Sequence, residues 1–380
     1  MNEQKREFQI FAKPVGAKCN LGCTYCYYLE KKGLYPGGKK FLMTEELLEQ
    51  YIIQYYAASG SGDVYFSWHG GEPLMAGIDF FRKVLLYQQK HKPAGSSFYN
   101  GLQTNGTLLD DAWCKFLTDE RFFVGLSIDG PEHLHNRHRL TVDGTPTHEK
   151  VLKGHNLLVK NGLQPEILCV VSSFNVNHPL EVYNYFKDLG SRYMTFLPLV
   201  NRDGKSPSGV SDDSVPPAEF GSFLSTIFDE WVKKDIGTVK VQIFEEAART
   251  AFGQDHTLCI FKKVCGGVPV VEHTGDFYSC DHYVDPDHLL GNIMGNSIAG
   301  YLDSDEQKAF GRAKLLTLPD YCRKCEVLQM CNGECPRNRF IKTPEGEPGL
   351  NYLCAGYRQF FNHCRPFVDA VAQLWKSRQG

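Results

Sequence analysis

Short apolar runs alternate with longer amphipathic stretches through the first two-thirds of the chain. Runs rich in β-branched and aromatic residues at 8–12, 64–68, 98–103, 124–128, 167–171 and 193–197 are bounded by Gly, Asn, Asp or Pro and predict strands. Between them, apolar positions at helical spacing predict helices over 45–58, 78–91, 111–119, 148–160 and 180–189. Thr44 is suited to cap the first, with Glu45 and Glu46 in its opening turn. Strands alternating with helices of this size predict parallel βαβ units. Six such units fit between Phe8 and Val200, so the expected fold is α/β, a partial (βα)6 barrel, with an open doubly wound sheet as the alternative. A Gly/Ser/Pro/Asp-rich connector over 201–217 leads to two further helices, 218–234 and 242–252. Beyond Cys259 the periodicity fades, apart from an expected hairpin (268–272 with 276–279) and a last helix at 365–376. The expected division is 1–235 for the α/β part, 236–258 for a helical connector, 259–357 for a small cysteine-rich domain and 358–380 for a closing helix.

Composition narrows the class. The 380 residues are 42% hydrophobic and 22% charged, ample for one large core and a smaller one. A formal net charge of −3 gives no broad basic face, so no nucleic-acid partner is expected. No apolar run reaches the length of a membrane span, and residues 1–7 lack the apolar core of a signal peptide. The expectation is a cytoplasmic protein without membrane attachment. In that compartment 14 cysteines point to metal ligation or catalysis rather than disulfides.

Three of them form Cys19-x3-Cys23-x2-Cys26, directly after the first strand. Three thiolates on one loop can hold one corner of an iron–sulfur cube, which takes four ligands when closed. The next cysteine is Cys114, so one iron would stay open. Spacing alone also admits a zinc knuckle with a distant fourth ligand. The second strand ends in Trp68-His69-Gly70-Gly71-Glu72-Pro73, where paired glycines permit close backbone approach. The third ends in Gln103-Thr104-Asn105-Gly106, and the fourth in Ser127-Ile128-Asp129-Gly130-Pro131, with Arg139 in the following loop. All face the edge where parallel α/β folds bind ligands. Arg139 reads equally well as a solvated loop arginine.

Eight more cysteines fall between Cys259 and Cys354: Cys259-x5-Cys265, Cys280, then Cys322-x2-Cys325-x5-Cys331-x3-Cys335, then Cys354. Eight thiolates complete two four-cysteine cubes or two structural zinc sites. Cys114, Cys169 and Cys364 are left over and read as small buried hydrophobes.

The triplet with Tyr25 before its last cysteine, the Gly-Gly-Glu-Pro turn, and Ser127 with Arg139 resemble the radical S-adenosylmethionine (SAM) enzymes. The downstream pattern resembles their SPASM extension. The resemblance implies a [4Fe–4S] cluster on Cys19, Cys23 and Cys26 whose open iron chelates SAM and cleaves it to a 5′-deoxyadenosyl radical. It implies SAM contacts from Tyr25, Gly71, Glu72, Ser127 and Arg139, and from the backbone of Val200. It further implies two auxiliary [4Fe–4S] clusters, one on Cys259, Cys265, Cys280 and Cys335, the other on Cys322, Cys325, Cys331 and Cys354, making three clusters in all.

The segments 19–30, 68–73, 102–109 and 124–131, with Tyr278-Ser279-Cys280-Asp281-His282 and Cys331-Asn332-Gly333-Glu334-Cys335-Pro336, are similar to those of anaerobic sulfatase-maturating enzymes. That family oxidises a Cys or Ser of a sulfatase to formylglycine (3-oxoalanine). Such chemistry needs a strong oxidant for Cβ–H, a base for the thiol or hydroxyl proton, and an acceptor for a second electron. Asp281 matches the family's base, and an adjacent anionic cluster is expected to raise its pKa. His69 and His282 are the alternative bases, and Tyr28 reads as either a channel or a core residue. The implied partners are an unfolded or nascent sulfatase segment with a Cys/Ser-x-Pro-x-Arg motif and a low-potential donor such as flavodoxin or ferredoxin. The competing function is a SPASM-type enzyme that cross-links a ribosomal peptide. Such enzymes often carry an N-terminal recognition domain, and only 18 residues precede Cys19.

Overall fold

A computed structural model describes residues 7–35, 41–60 and 62–378; the signal-peptide reading of the N-terminus falls on residues 1–7, of which 1–6 lie outside the described residues. By packing, the chain forms two compact units: Met1–Ser127, His138–Pro165 and Gly266–Gly311 make the first, and Ile128–Arg137, Glu166–Cys265 and Arg312–Gly380 the second. Its strands are β1 (Phe11–Ala12), β2 (Val64–Trp68), β3 (Phe98–Thr104), β4 (Phe123–Ser127), β5 (Glu166–Val171), β6 (Tyr193–Pro198), β7 (Lys240–Val241), β8 (Val270–Val271), β9 (Asp276–Tyr278), β10 (Leu289–Asn292) and, as a separate hairpin, β11 (Arg339–Lys342) and β12 (Pro348–Asn351).

In the first unit β1 to β4 pair in parallel in chain order. Order without a reversal is the pattern of a barrel-type sheet; a doubly wound sheet turns back at a switch point. The sheet is barrel-like and not closed. Register aligns the strand ends: Ala12 faces Trp68, Trp68 faces Leu102, and Thr104 faces Leu126. The loops that follow therefore open on one edge. On its other side β1 pairs in parallel with β8, which forms the expected hairpin with β9, and β10 extends it. The segment after β8 is thus delivered to the edge that receives the cysteine triplet.

The helices form where their ends are capped and one face is apolar. Thr44 Oγ1 accepts from the Leu47 N–H at 3.3 Å and opens Glu45–Ser59. Asp110 does the same for Asp111–Asp119, accepting from Trp113 N–H at 2.8 Å. The buried faces of these helices and of Ile78–His91 meet Phe66, Trp68, Leu102 and Val124 of the sheet in one core.

In the second unit β5, β6 and β7 also pair in parallel in chain order. The last helix runs over Cys354–Ser377, well before the expected start at Arg365, and it passes through Pro366. A proline there removes one ladder bond. Packing outweighs that loss: Tyr357 meets Phe220 at 5.7 Å and Phe360 meets Phe228 at 6.1 Å, both from Pro217–Lys234. These helices approach through glycine. A Cβ on Gly356 would lie 2.1 Å from the Pro217 carbonyl oxygen. Gly356→Ala is expected to cost about 1–3 kcal/mol by forcing them apart, read as a lower Tm of the cluster-loaded protein.

Candidate functional site

The cysteine triplet sits on the loop after β1, its three side chains half-buried. That loop is fixed by backbone. Leu21 bridges Thr141, Gly22 N–H donates to Leu140 O at 2.9 Å, and Thr24 N–H to His138 O at 3.0 Å. The Leu21 N–H donates to Cys19 Sγ at 3.3 Å and Asn105 Nδ2 reaches the same sulfur at 3.7 Å. Burial pushes the Cys19 thiol up to about 11, and Glu72 and Cys26 add to it. A thiol so placed ionises when a metal takes its sulfur. Half-buried sulfurs with N–H donors aimed at one of them suit an iron–sulfur corner.

The glycine pair is explained by backbone crowding. Gly71 N–H donates to Gly16 O at 2.8 Å and Glu72 N–H to Lys18 O at 2.9 Å. A Cβ on Gly71 would lie 2.0 Å from Lys18 O. Glycine here lets the strand end lie against the lead-in to Cys19.

Glu72 is fully buried (0% exposed), and its carboxylate accepts from Leu74 N–H (3.0 Å), Thr104 Oγ1 (2.8 Å) and Asn105 N–H (2.8 Å). Burial raises its pKa to about 7, against those bonds and the charge of Arg139. Its visible work is to clamp the turn at 103–106, which carries Asn105 to Cys19. Asn105 also donates to Asn20 Oδ1 at 3.0 Å. Reading the sequence missed this contact; its one signal was a Thr-Asn-Gly turn at a strand end.

Ser127, at the end of β4, accepts from Gln103 Nε2 at 3.0 Å. Arg139 is buried (6% exposed) with its guanidinium 5.6 Å from the Tyr25 ring centre, which removes the reading as a solvated loop arginine. Tyr25 lies 5.4 Å from His138, whose Nδ1 is bonded to Thr24 Oγ1 at 2.8 Å. The first unit thus contains the triplet, Tyr25, Gly71, Glu72, Ser127 and Arg139 together. Val200 belongs to the second unit, buried in the chain after β6.

Asp281 is also in the first unit. Its Oδ1 lies 2.5 Å from Lys13 Nζ, and Tyr27 donates to its Oδ2 at 2.6 Å. Lys13, only 3% exposed, follows directly on β1 and stands over the Tyr28 ring at 4.4 Å. Burial by itself would raise the pKa of Asp281. The charges of Lys13 and His282 and the bonds from Lys13 and Tyr27 outweigh it, and hold the carboxyl well below its usual range. Among the chain's own groups, counter-charges therefore outweigh burial at Asp281.

His69 stacks on Phe11 at 3.9 Å, and burial beside Lys13 brings its pKa down to about 3, so it is neutral at physiological pH. His282 packs edge-on to Tyr27 at 5.6 Å. Tyr28 is buried and donates to Glu272. Neither Lys13 nor Tyr27 was singled out from the sequence, because each looks like an ordinary residue beside a strand end or a ligand.

Downstream, Cys322, Cys325, Cys331 and Cys354 line one small cavity with Val327, Leu328 and Asn351. Burial brings the Cys354 thiol up to about 12, with Cys322 and Cys325 adding to it. Four cysteines lining one hollow suit a four-thiolate ligand set. Cys259, Cys265 and Cys335 lie in the second unit, Cys280 in the first. Cys114, Cys169 and Cys364 are fully buried, as small hydrophobes would be.

Residues 14–191 match the family model of the radical SAM superfamily, and 265–326 that of SPASM, an iron–sulfur cluster-binding domain. Fold and site therefore define a radical SAM protein with a SPASM region, a class that works with SAM and iron–sulfur clusters rather than structural zinc. The chain is 44% identical over 383 residues to a serine-type anaerobic sulfatase-maturating enzyme of Bacteroides thetaiotaomicron, covering 97% of this chain and 92% of the relative. It is 32% identical over 369 residues to a cysteine-type enzyme of Clostridium perfringens, covering 96% and 98%. A solved structure described as native anSMEcpe with bound AdoMet and Cp18Cys peptide superimposes with a TM-score of 0.86 at 32% identity, covering 96% of this chain and 98% of that one. The chain belongs to the anaerobic sulfatase-maturating enzymes. No helix among the described residues is long and apolar enough to cross a membrane.

Proposed function

We propose that this protein oxidises one Cys or Ser side chain of a sulfatase polypeptide, within a Cys/Ser-x-Pro-x-Arg motif, to formylglycine. Full-length similarity to sulfatase-maturating enzymes favours this over peptide cross-linking. Cys19, Cys23 and Cys26 would hold the SAM-cleaving [4Fe–4S] cluster. Tyr25, Gly71, Glu72, Ser127, Arg139 and Val200 would bind SAM. When bound, cluster and SAM supply the radical that takes hydrogen from the substrate Cβ. Cys259, Cys265, Cys280 and Cys335 would hold one auxiliary cluster, and Cys322, Cys325, Cys331 and Cys354 the other. The radical SAM part is assigned to 1–235, the connector to 236–258, the SPASM part to 259–357 and the closing helix to 358–380.

The chain's own residues do the rest. Arg139 is suited to pair with the SAM carboxylate, since a guanidinium stays charged in burial. Asp281, ionised, takes the proton of the substrate thiol or hydroxyl as the neighbouring carbon is oxidised, and the second electron would pass to a nearby iron–sulfur cluster. Lys13 and Tyr27 keep that carboxylate charged and oriented, and neutral His69 offers a polar contact to substrate. The single observation that carries the reading is a half-buried carboxylate, ion-paired to Lys13 and hydrogen-bonded by Tyr27, in the same unit as the cysteine triplet. A flavodoxin or ferredoxin would supply the reducing electron.

The test is incubation of the reduced, cluster-loaded protein with SAM and short peptides bearing either motif, without oxygen. Formylglycine formation lowers peptide mass by about 18 units from Cys or about 2 from Ser. Unchanged mass for both peptides, with SAM cleaved, would reject a sulfatase segment as substrate.

A further inference from the structure

Two cations in the second unit, buried Lys314 and half-buried Arg339, have no part in the proposed reaction. Arg339 is wrapped by backbone: its Nε donates to Gly333 O (2.8 Å), Nη2 to Asn332 O (2.8 Å) and Glu334 O (3.3 Å), and Nη1 to Lys314 O (2.6 Å). Three of these carbonyls belong to the strap between Cys331 and Cys335. That strap is left-handed at Asn332 (φ 47°), Gly333 (φ 70°) and Glu334 (φ 52°). Two non-glycine residues in this region are strained unless something holds them. The guanidinium does so, and fits so closely that a Cβ on Gly333 would lie 2.5 Å from Nη2. Lys314, 0% exposed, donates from Nζ to Cys259 O (3.0 Å) and Ile260 O (2.7 Å). Arg339 is thus held on the strap between Cys331 of one ligand set and Cys335 of the other, and Lys314 against the backbone of Cys259. The opposing charge is Glu334, buried on the same strap and bonded to Asn338 and Asn351.

We propose that Arg339, with Lys314 beside it, is an electrostatic positioning residue that raises the reduction potentials of both auxiliary clusters. The proposal rests on the assignment of the eight downstream cysteines given above. Reduction adds a negative charge to a cluster, so a fixed cation nearby favours the reduced form, most strongly where water is excluded. Arginine suits the position because it never loses its proton, and its planar fork meets several acceptors at once. Arg339 spans the strap that joins the two ligand sets, so it acts on both. Lys314 lies against the Cys259 carbonyl of one set.

The experiment uses the full chain with Cys19, Cys23 and Cys26 changed to Ala, so that only auxiliary signals remain. Iron and sulfide are counted first, and the midpoints are then read by EPR-monitored redox titration. Arg339→Gln is expected to shift both auxiliary midpoints to more negative potential. Arg339→Lys, which keeps the charge, should shift them much less, and Lys314→Gln should shift one midpoint alone. Unmoved midpoints in a fully loaded Arg339→Gln variant, or an equal shift in Arg339→Lys, would overturn the proposal. Where Arg339→Gln does not retain its clusters, Lys314→Gln decides: one shifted midpoint supports the role of the two cations, none overturns it. An iron count too low for two clusters in the parent protein would instead strike the cysteine assignment.

Discussion

Cys23→Ala is expected to abolish release of 5′-deoxyadenosine from SAM, by more than about 100-fold. The loop carries three cysteines, and two cannot hold a cube whose fourth iron is already open. No substitute is at hand: Cys114 is fully buried within Asp111–Asp119. The loop itself should survive, because the bonds from Gly22 N–H and Thr24 N–H flank position 23 and need no side chain there. Chromatography of the nucleoside products, beside an iron count and thermal unfolding, separates loss of the cluster from loss of the fold. Undiminished 5′-deoxyadenosine from this variant would remove the triplet from the chemistry.

Asp281→Asn is expected to leave SAM cleavage largely intact and to reduce formylglycine by about 10²- to 10⁴-fold, the contribution of a positioned base. The amide keeps the shape and can still accept from Tyr27, but it cannot take a proton. It also leaves Lys13 without its counter-charge in a buried site, so a stability loss of about 3 kcal/mol accompanies the change. Nucleoside release serves as the internal control: cleavage without aldehyde isolates the proton-transfer step. Normal aldehyde yield would transfer the role of base to another residue.

Much of the fold was legible in the sequence because it is locally encoded. Ile78–His91, Asp111–Asp119 and His148–Lys160 form over the expected spans, each with one apolar face, and Asp110 caps the second. The last helix was misplaced because Pro366 reads as a start signal, while packing against Pro217–Lys234 carries the helix through it. Arg139 could not be assigned to core or solvent from its loop alone.

By itself the sequence determined the ligand inventory: spacing within one loop sets how many thiolates can meet there, and that needs no tertiary context. It also determined the alternation of strand and helix, hence the edge at which the triplet and the Gly-Gly-Glu turn emerge. Only the tertiary structure decided the charge states. Lys13 and Tyr27 reach Asp281, and Lys314 reaches the Cys259 carbonyl, through folding that joins separate segments. A side chain's ionisation depends on which distant groups share its low-dielectric surroundings, and linear spacing carries no record of that.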